Sequence, residues 1–121
     1  GYMPDPSQDL RNKILGRKGE TLTVSYLKKR GYRILKRNFR TPFGEADILA
    51  KQGDTYCLVE VKTRISDAFG LPSEAVNAKK RERYRKMALF LCERLGEEVP
   101  CRFDVSSVTE EGIEYFEGAF I

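Results

Sequence analysis

Two hydrophobic periods alternate along the chain. Over residues 17–30, Leu22, Tyr26 and Leu27, with Thr23 beside them, recur at helical intervals and predict a helix with one apolar stripe. Gly31 stands where a helix C-cap glycine belongs. The pattern then becomes extended, with strands predicted over residues 32–40, 45–50 and 55–64. Thr41-Pro42-Phe43-Gly44 is a turn between the first two, and Lys51-Gln52-Gly53-Asp54 contains a hairpin turn signal between the second and third. Residues 66–72 read as a loop, after which Ser73 can cap a long second helix running to about Leu95. Tyr84, Met87, Ala88, Leu91 and Leu95 follow helical spacing there, and Gly96 stops the helix. Strands over residues 102–108 and 113–120 follow, with Glu110-Glu111-Gly112 as their turn. The order α-β-β-β-α-β-β predicts an α/β fold, a mixed central sheet flanked by helices. Residues 1–10, with two prolines, read as a loose tail, and residues 11–121 as a single domain.

The hairpin register decides which side chains meet. If Gly53-Asp54 are the two loop residues, glycine first suits a type II′ turn. Leu49 then faces Leu58, Asp47 faces Glu60 and Glu45 faces Lys62. A four-residue loop keeps this pairing and a three-residue loop shifts it. The opposite face carries Ala46, Ile48, Ala50, Cys57, Val59 and Val61, all apolar, and belongs in the core. Two carboxylates directly opposite in a sheet repel, and burial raises one pKa unless a cation sits between them. Carboxylates converging from adjacent strands are an ordinary way to hold Mg²⁺. Lys62, on the same side of its strand as Glu60, can orient a water or stabilise negative charge growing on a phosphate. The chemistry this predicts is in-line attack of water on a phosphodiester. The competing reading is a solvated outer sheet face with a Glu45–Lys62 surface ion pair worth roughly 0–1 kcal/mol.

Composition narrows the chemistry. The chain has no histidine, which removes Ser-His and Cys-His nucleophiles and His-ligated metals. A metal here would be hard and carboxylate-held, Mg²⁺ or Mn²⁺. Cys57, Cys92 and Cys101 are odd in number and widely spaced, fitting neither a disulfide framework nor a zinc site. No apolar run approaches the roughly 18 residues that span a membrane, and residues 1–10 carry no signal-peptide core. A cytoplasmic protein without a membrane partner is expected. The formal net charge of +4 favours an anionic partner.

Four blocks carry a family resemblance: Gly16-Arg17-Lys18-Gly19-Glu20, then Gly31 through Arg40, then Gly44-Glu45-Ala46-Asp47-Ile48-Leu49, then Val59-Glu60-Val61-Lys62-Thr63-Arg64. They resemble the YraN-like family of predicted endonucleases. That family is similar to the PD-(D/E)XK restriction-endonuclease-like superfamily and, within it, to archaeal Holliday-junction resolvases. The resemblance implies a restriction-endonuclease-like fold, with Asp47 as first acid, Glu60 as second and Lys62 as the lysine. It also implies Glu20 as an additional acid near the metal and the Val61 carbonyl as a further ligand. Ala46 stands where a proline often precedes the first acid. Glu20 has a structural reading too, as an acid in the first turn of its helix.

Basic residues complete the picture. Lys79, Lys80, Arg81, Arg83, Arg85 and Lys86 crowd the second helix, while Arg33, Lys36, Arg37 and Arg40 stud the first strand. Arg17, Arg40, Arg64, Lys79 and Arg83 are the candidate nucleic-acid contacts, since such clusters supply phosphate contacts. Lys79 and Arg83 lie one helical turn apart, and Lys79 resembles a lysine recurrent in the family pattern. A solvated helix face is the alternative for the run. Phe43 and Phe69 can stack on bases or cover the core. The expected function is a metal-dependent DNA endonuclease acting on branched or structured DNA, as a homodimer by resemblance. The alternatives are a catalytically silent nucleic-acid-binding module and a partner protein in a DNA-processing assembly.

Overall fold

The computed structural model describes residues 6–64 and 77–119. They form α1 (Pro6–Lys29), β1 (Arg33–Thr41), β2 (Gly44–Gln52), β3 (Thr55–Thr63), α2 (Ala78–Leu95), β4 (Cys101–Thr109) and β5 (Gly112–Phe116). The sheet runs β1-β2-β3-β4-β5 in sequence order. Only β3 and β4 are parallel; the other neighbours are antiparallel. A parallel neighbour needs a crossover, and α2 supplies it.

Alternation along the strands makes two cores. Ile48, Ala50, Cys57 and Val59 pack with Leu27 of α1, whereas Leu49, Leu58, Phe103 and Val105 pack with Tyr84, Met87 and Leu91 of α2. The helices therefore cover opposite faces, because successive strand residues point to opposite sides. Gly53, at φ 57, is in the left-handed region that the first loop residue of a type II′ turn needs. The register follows as predicted, with Leu49 opposite Leu58 and Ile48 opposite Val59. Strand β1 is an edge, carrying a register shift between Ile34 and Lys36, and its exposed Arg33, Lys36, Arg37 and Arg40 protect it from further pairing.

A buried ion pair ties the far end of the sheet. Asp104 is fully buried and accepts from Arg102 Nε at 2.8 Å, the Tyr115 hydroxyl at 2.6 Å and the Gly118 amide at 2.9 Å. Arg102 also donates to Gln52 and to the Tyr32 hydroxyl, so each member of the network has partners.

Several expectations are corrected. Residues 6–10, expected in a loose tail, lie in α1. Among its described side chains the buried stripe is Gly19, Thr23 and Leu27, while Leu22 is 43% exposed. The Thr23 hydroxyl replaces apolar contact by bonding Gly19 O at 2.9 Å and Ser106 Oγ at 2.8 Å. Helix α2 starts at Ala78 and is capped by Asn77, whose Oδ1 accepts the Lys80 amide at 2.8 Å, so Asn77 and not Ser73 is the cap. Leu95, in the last turn of α2, is exposed, and β5 ends at Phe116. Ala46, expected beside Ile48, packs with the α2 cluster next to Phe39, its partner on β1. Ser73, Phe69 and the loop at 66–72 lie outside the described residues.

Candidate functional site

The β2–β3 ladder ends at Ile48 and Val59. Beyond it the Val61 amide donates to Asp47 Oδ2 at 2.7 Å. A side-chain carboxylate thus stands where the next backbone acceptor of β2 would be. Asp47 and Glu60, the next opposed positions, flank this opening. A residue's N–H and C=O point to the same side of a strand, so the Val61 carbonyl is also aimed toward β2.

Glu60 lies deep, with its side chain 12% exposed. Its Oε1 takes Lys80 Nζ at 2.7 Å and Lys62 Nζ at 3.2 Å. Its Oε2 is buried without a hydrogen-bond partner. Burial is the main cause that pushes the Asp47 carboxyl above its ordinary range; the Val61 amide pulls it down, while Glu60 and Glu45 push it up further. Glu20 reaches the same field from α1. Its carboxyl is raised chiefly by burial and then by Asp47, while Arg37, 3.8 Å away, opposes the rise. Gly19, the residue before it, packs so closely on Thr63 and Val61 that any Cβ would collide, and this brings the middle of α1 down onto the end of β3.

The predicted groups therefore divide. Asp47, Glu60, Lys62 and the Val61 backbone meet at one place, and Glu20 joins them electrostatically. Glu45 pairs with Arg40 at 3.6 Å instead of with Lys62, so the surface pair Glu45–Lys62 does not form. Lys62 and Glu60 are not on an outer face, because α2 covers Leu49 and Leu58 beside them. Arg83 lies along Gly44, its Cδ 2.8 Å from where a Cβ there would stand, and over the Tyr84 ring with 5.6 Å to the centroid. Arg17 and Arg40 are exposed, and the Arg64 amide donates to Val108 O at 2.8 Å. Phe43 is 46% exposed at the β1–β2 turn and does not cover the core.

Lys79 is exposed; Lys80, beside it, makes the contact with Glu60. Helical phase carried that signal. Lys80 lies four residues before the buried Tyr84, and thus on the stripe that continues through Met87 and Leu91. Tyr84 also belongs to the surroundings of the site: burial, then Glu60 and Asp47, push its hydroxyl pKa up.

Among the described residues no group of three or more acidic, cysteine or histidine side chains converges closely enough to hold a metal ion. The local chemistry nonetheless fits a divalent cation. A buried Glu60 oxygen lacks a partner, and Asp47 beside it is held above its ordinary range by burial. A cation between them would relieve both.

A family model described as "Uncharacterised protein family UPF0102" matches residues 19–108. The chain belongs to the UPF0102 family. This is the YraN-like family to which the four sequence blocks point. A UPF0102 protein of Thermodesulfovibrio yellowstonii is 48% identical over 106 residues, covering 88% of this chain and 95% of the relative. Another, from Alkaliphilus oremlandii, is 49% identical over 116 residues, covering 90% and 99%. Among solved structures, a Holliday junction resolvase, Hjc of Archaeoglobus fulgidus, superposes with a TM-score of 0.51 at 22% identity, covering 81% of this chain and 72% of that one. At that identity the likeness shows the fold, and the UPF0102 chain has a nuclease-like α/β fold.

Proposed function

We propose that this chain is a Mg²⁺- or Mn²⁺-dependent endonuclease that hydrolyses DNA phosphodiester bonds, with a preference for branched or otherwise structured DNA. The observation that carries this reading is Glu60. Its carboxylate is buried with one oxygen unpartnered and the other between two ammonium groups, next to a second desolvated carboxylate. A purely structural sheet would not bear that cost without a compensating role.

Asp47, Glu60 and the Val61 carbonyl, with Glu20 from α1, are the groups that would hold the ion. Such an ion supplies Lewis acidity at the scissile phosphate and the attacking water. The chain's own residues do the rest. Lys62, beside Glu60, donates to phosphate oxygens and stabilises the charge that grows on them. Arg17, Arg40, Arg64, Lys79 and Arg83 contact backbone phosphates and set the strand's position. The preference for structured DNA and the homodimer, which would place two sites on two strands, follow from the resolvase likeness. The cytoplasm is the compartment this reading calls for.

The test is cleavage of labelled duplex, single-stranded, flap and four-way-junction DNA with Mg²⁺ or Mn²⁺, beside Glu60→Ala. Cutting by the wild type that disappears with EDTA and in the variant is expected. Selective binding of one DNA structure with no cutting at any metal concentration overturns it in favour of a silent binding module. One observation favours that second reading: Lys62 and Lys80 already neutralise Glu60, so the site is charge-balanced by its own side chains.

A further inference from the structure

The first turn of α2 conflicts with the helix dipole. It carries Lys79, Lys80 and Arg81 and no acidic residue, although the N-terminal end of a helix is its positive end. Local rules broken in this way mark a position selected for something besides helix stability. Lys80 shows what that is. Its amide is fixed by the Asn77 cap, and its side chain runs inward along the Tyr84 stripe to Glu60 Oε1. That contact, at 2.7 Å, is shorter than the one from Lys62, and the Lys80 side chain is also the more buried, 17% exposed against 32%.

An ammonium so close to Glu60 occupies the ground a divalent cation would need. Both charges cannot sit within a few ångströms of each other in a partly desolvated site without strong repulsion. Lysine suits a replaceable counterion, being a point charge on a flexible stem.

We propose that Lys80 is the resident counterion of Glu60, competes with the divalent cation for that carboxylate's negative charge and is displaced when that cation enters. This rests on the metal-dependent reading above. Lys80 is then a positioning residue that sets metal affinity from α2, whereas a strut merely fastening α2 to β3 would leave metal affinity unchanged or lower it.

The test is calorimetric titration of Mg²⁺ into the full chain without DNA, for the wild type, Lys80→Met, Lys80→Arg and Glu60→Gln. Lys80→Met removes the competitor, keeps the apolar stem and leaves Lys62 on Glu60, so it should bind Mg²⁺ about tenfold more tightly, the size of one charge-assisted hydrogen bond. Lys80→Arg, which can still reach Glu60, should resemble the wild type, and Glu60→Gln should lose most of the heat. Circular dichroism checks that each variant folds, and Lys80→Gln replaces Lys80→Met if the latter does not. Equal or weaker binding by Lys80→Met overturns the competition while leaving the metal site standing. No Mg²⁺ uptake by any of the four proteins removes the metal-dependent reading, and the competition with it.

Discussion

Asp47 concentrates the physics of the site in one side chain. Burial holds its carboxyl above the ordinary range, so the folded chain binds that proton more tightly than the unfolded chain does. With no metal present, stability therefore falls as pH rises from the ordinary Asp value through the raised native one, and stays lowered above it. Asp47→Asn keeps an acceptor for the Val61 amide and removes the charge. Thermal unfolding in EDTA should show the variant melting above the wild type at neutral pH and level with it at a pH below the ordinary Asp value. Equal melting at both pH values would show that Asp47 is not destabilised in the fold. Strand alternation puts Glu60 and Lys62 on the side of β3 that carries Leu58, and the two side chains lie 3.2 Å apart there. Along α2 the sequence offers Lys79 as a phosphate contact and leaves Lys80, which reaches Glu60, inside the basic run. A run of basic residues hides phase, and only the apolar stripe of Tyr84, Met87 and Leu91 reveals which lysine points inward.

Elements position those side chains. The hairpin β2–β3 brings Asp47 and Glu60 just beyond its last paired residues, Ile48 and Val59, and its register was legible because Gly53 admits only a few tight turns. The start of α2 was not legible in the same way. Ser73 and Asn77 are both good caps, and the choice between them depends on where the chain arrives from β3. Asn77 fixes the amide of Lys80, so the cap also aims the lysine. Asn77→Ala should cost about 1 kcal/mol in urea denaturation, the usual price of a lost N-cap. A change within about 0.3 kcal/mol would mean that the cap bond is not formed in solution. The buried face of α1 was only partly foreseen. Gly19 and Thr23 lie on it because close approach to β3 and a hydroxyl pair with Ser106 replaced apolar packing.

For the whole molecule, the sheet places acids and bases in one field. Arg37 of β1 lies 3.8 Å from Glu20, and on α2 Arg83 lies along Gly44 and Lys80 on Glu60, although they are far apart in sequence. DNA affinity should therefore fall steeply with salt. Arg40→Ala and Arg83→Ala should each make the plot of log affinity against log salt shallower by about one phosphate contact, at every DNA sequence tested. Fluorescence anisotropy across a salt series measures this, and slopes identical to the wild type's would remove both arginines from the interface. Away from the site, Asp104 and Arg102 join β4 to the chain after β5 and to Tyr32. Breaking such a pair on one side costs about 3–5 kcal/mol, because the remaining charge stays buried.

The sequence by itself determined the order of elements and the hairpin register. These depend on local periods and turn residues. Tertiary structure alone decided which helix covers which sheet face, that Lys80 reaches Glu60, and that one Glu60 oxygen is buried without a partner. The reason is physical. Burial and electrostatic coupling depend on which distant segments pack together, and no local pattern contains that distance.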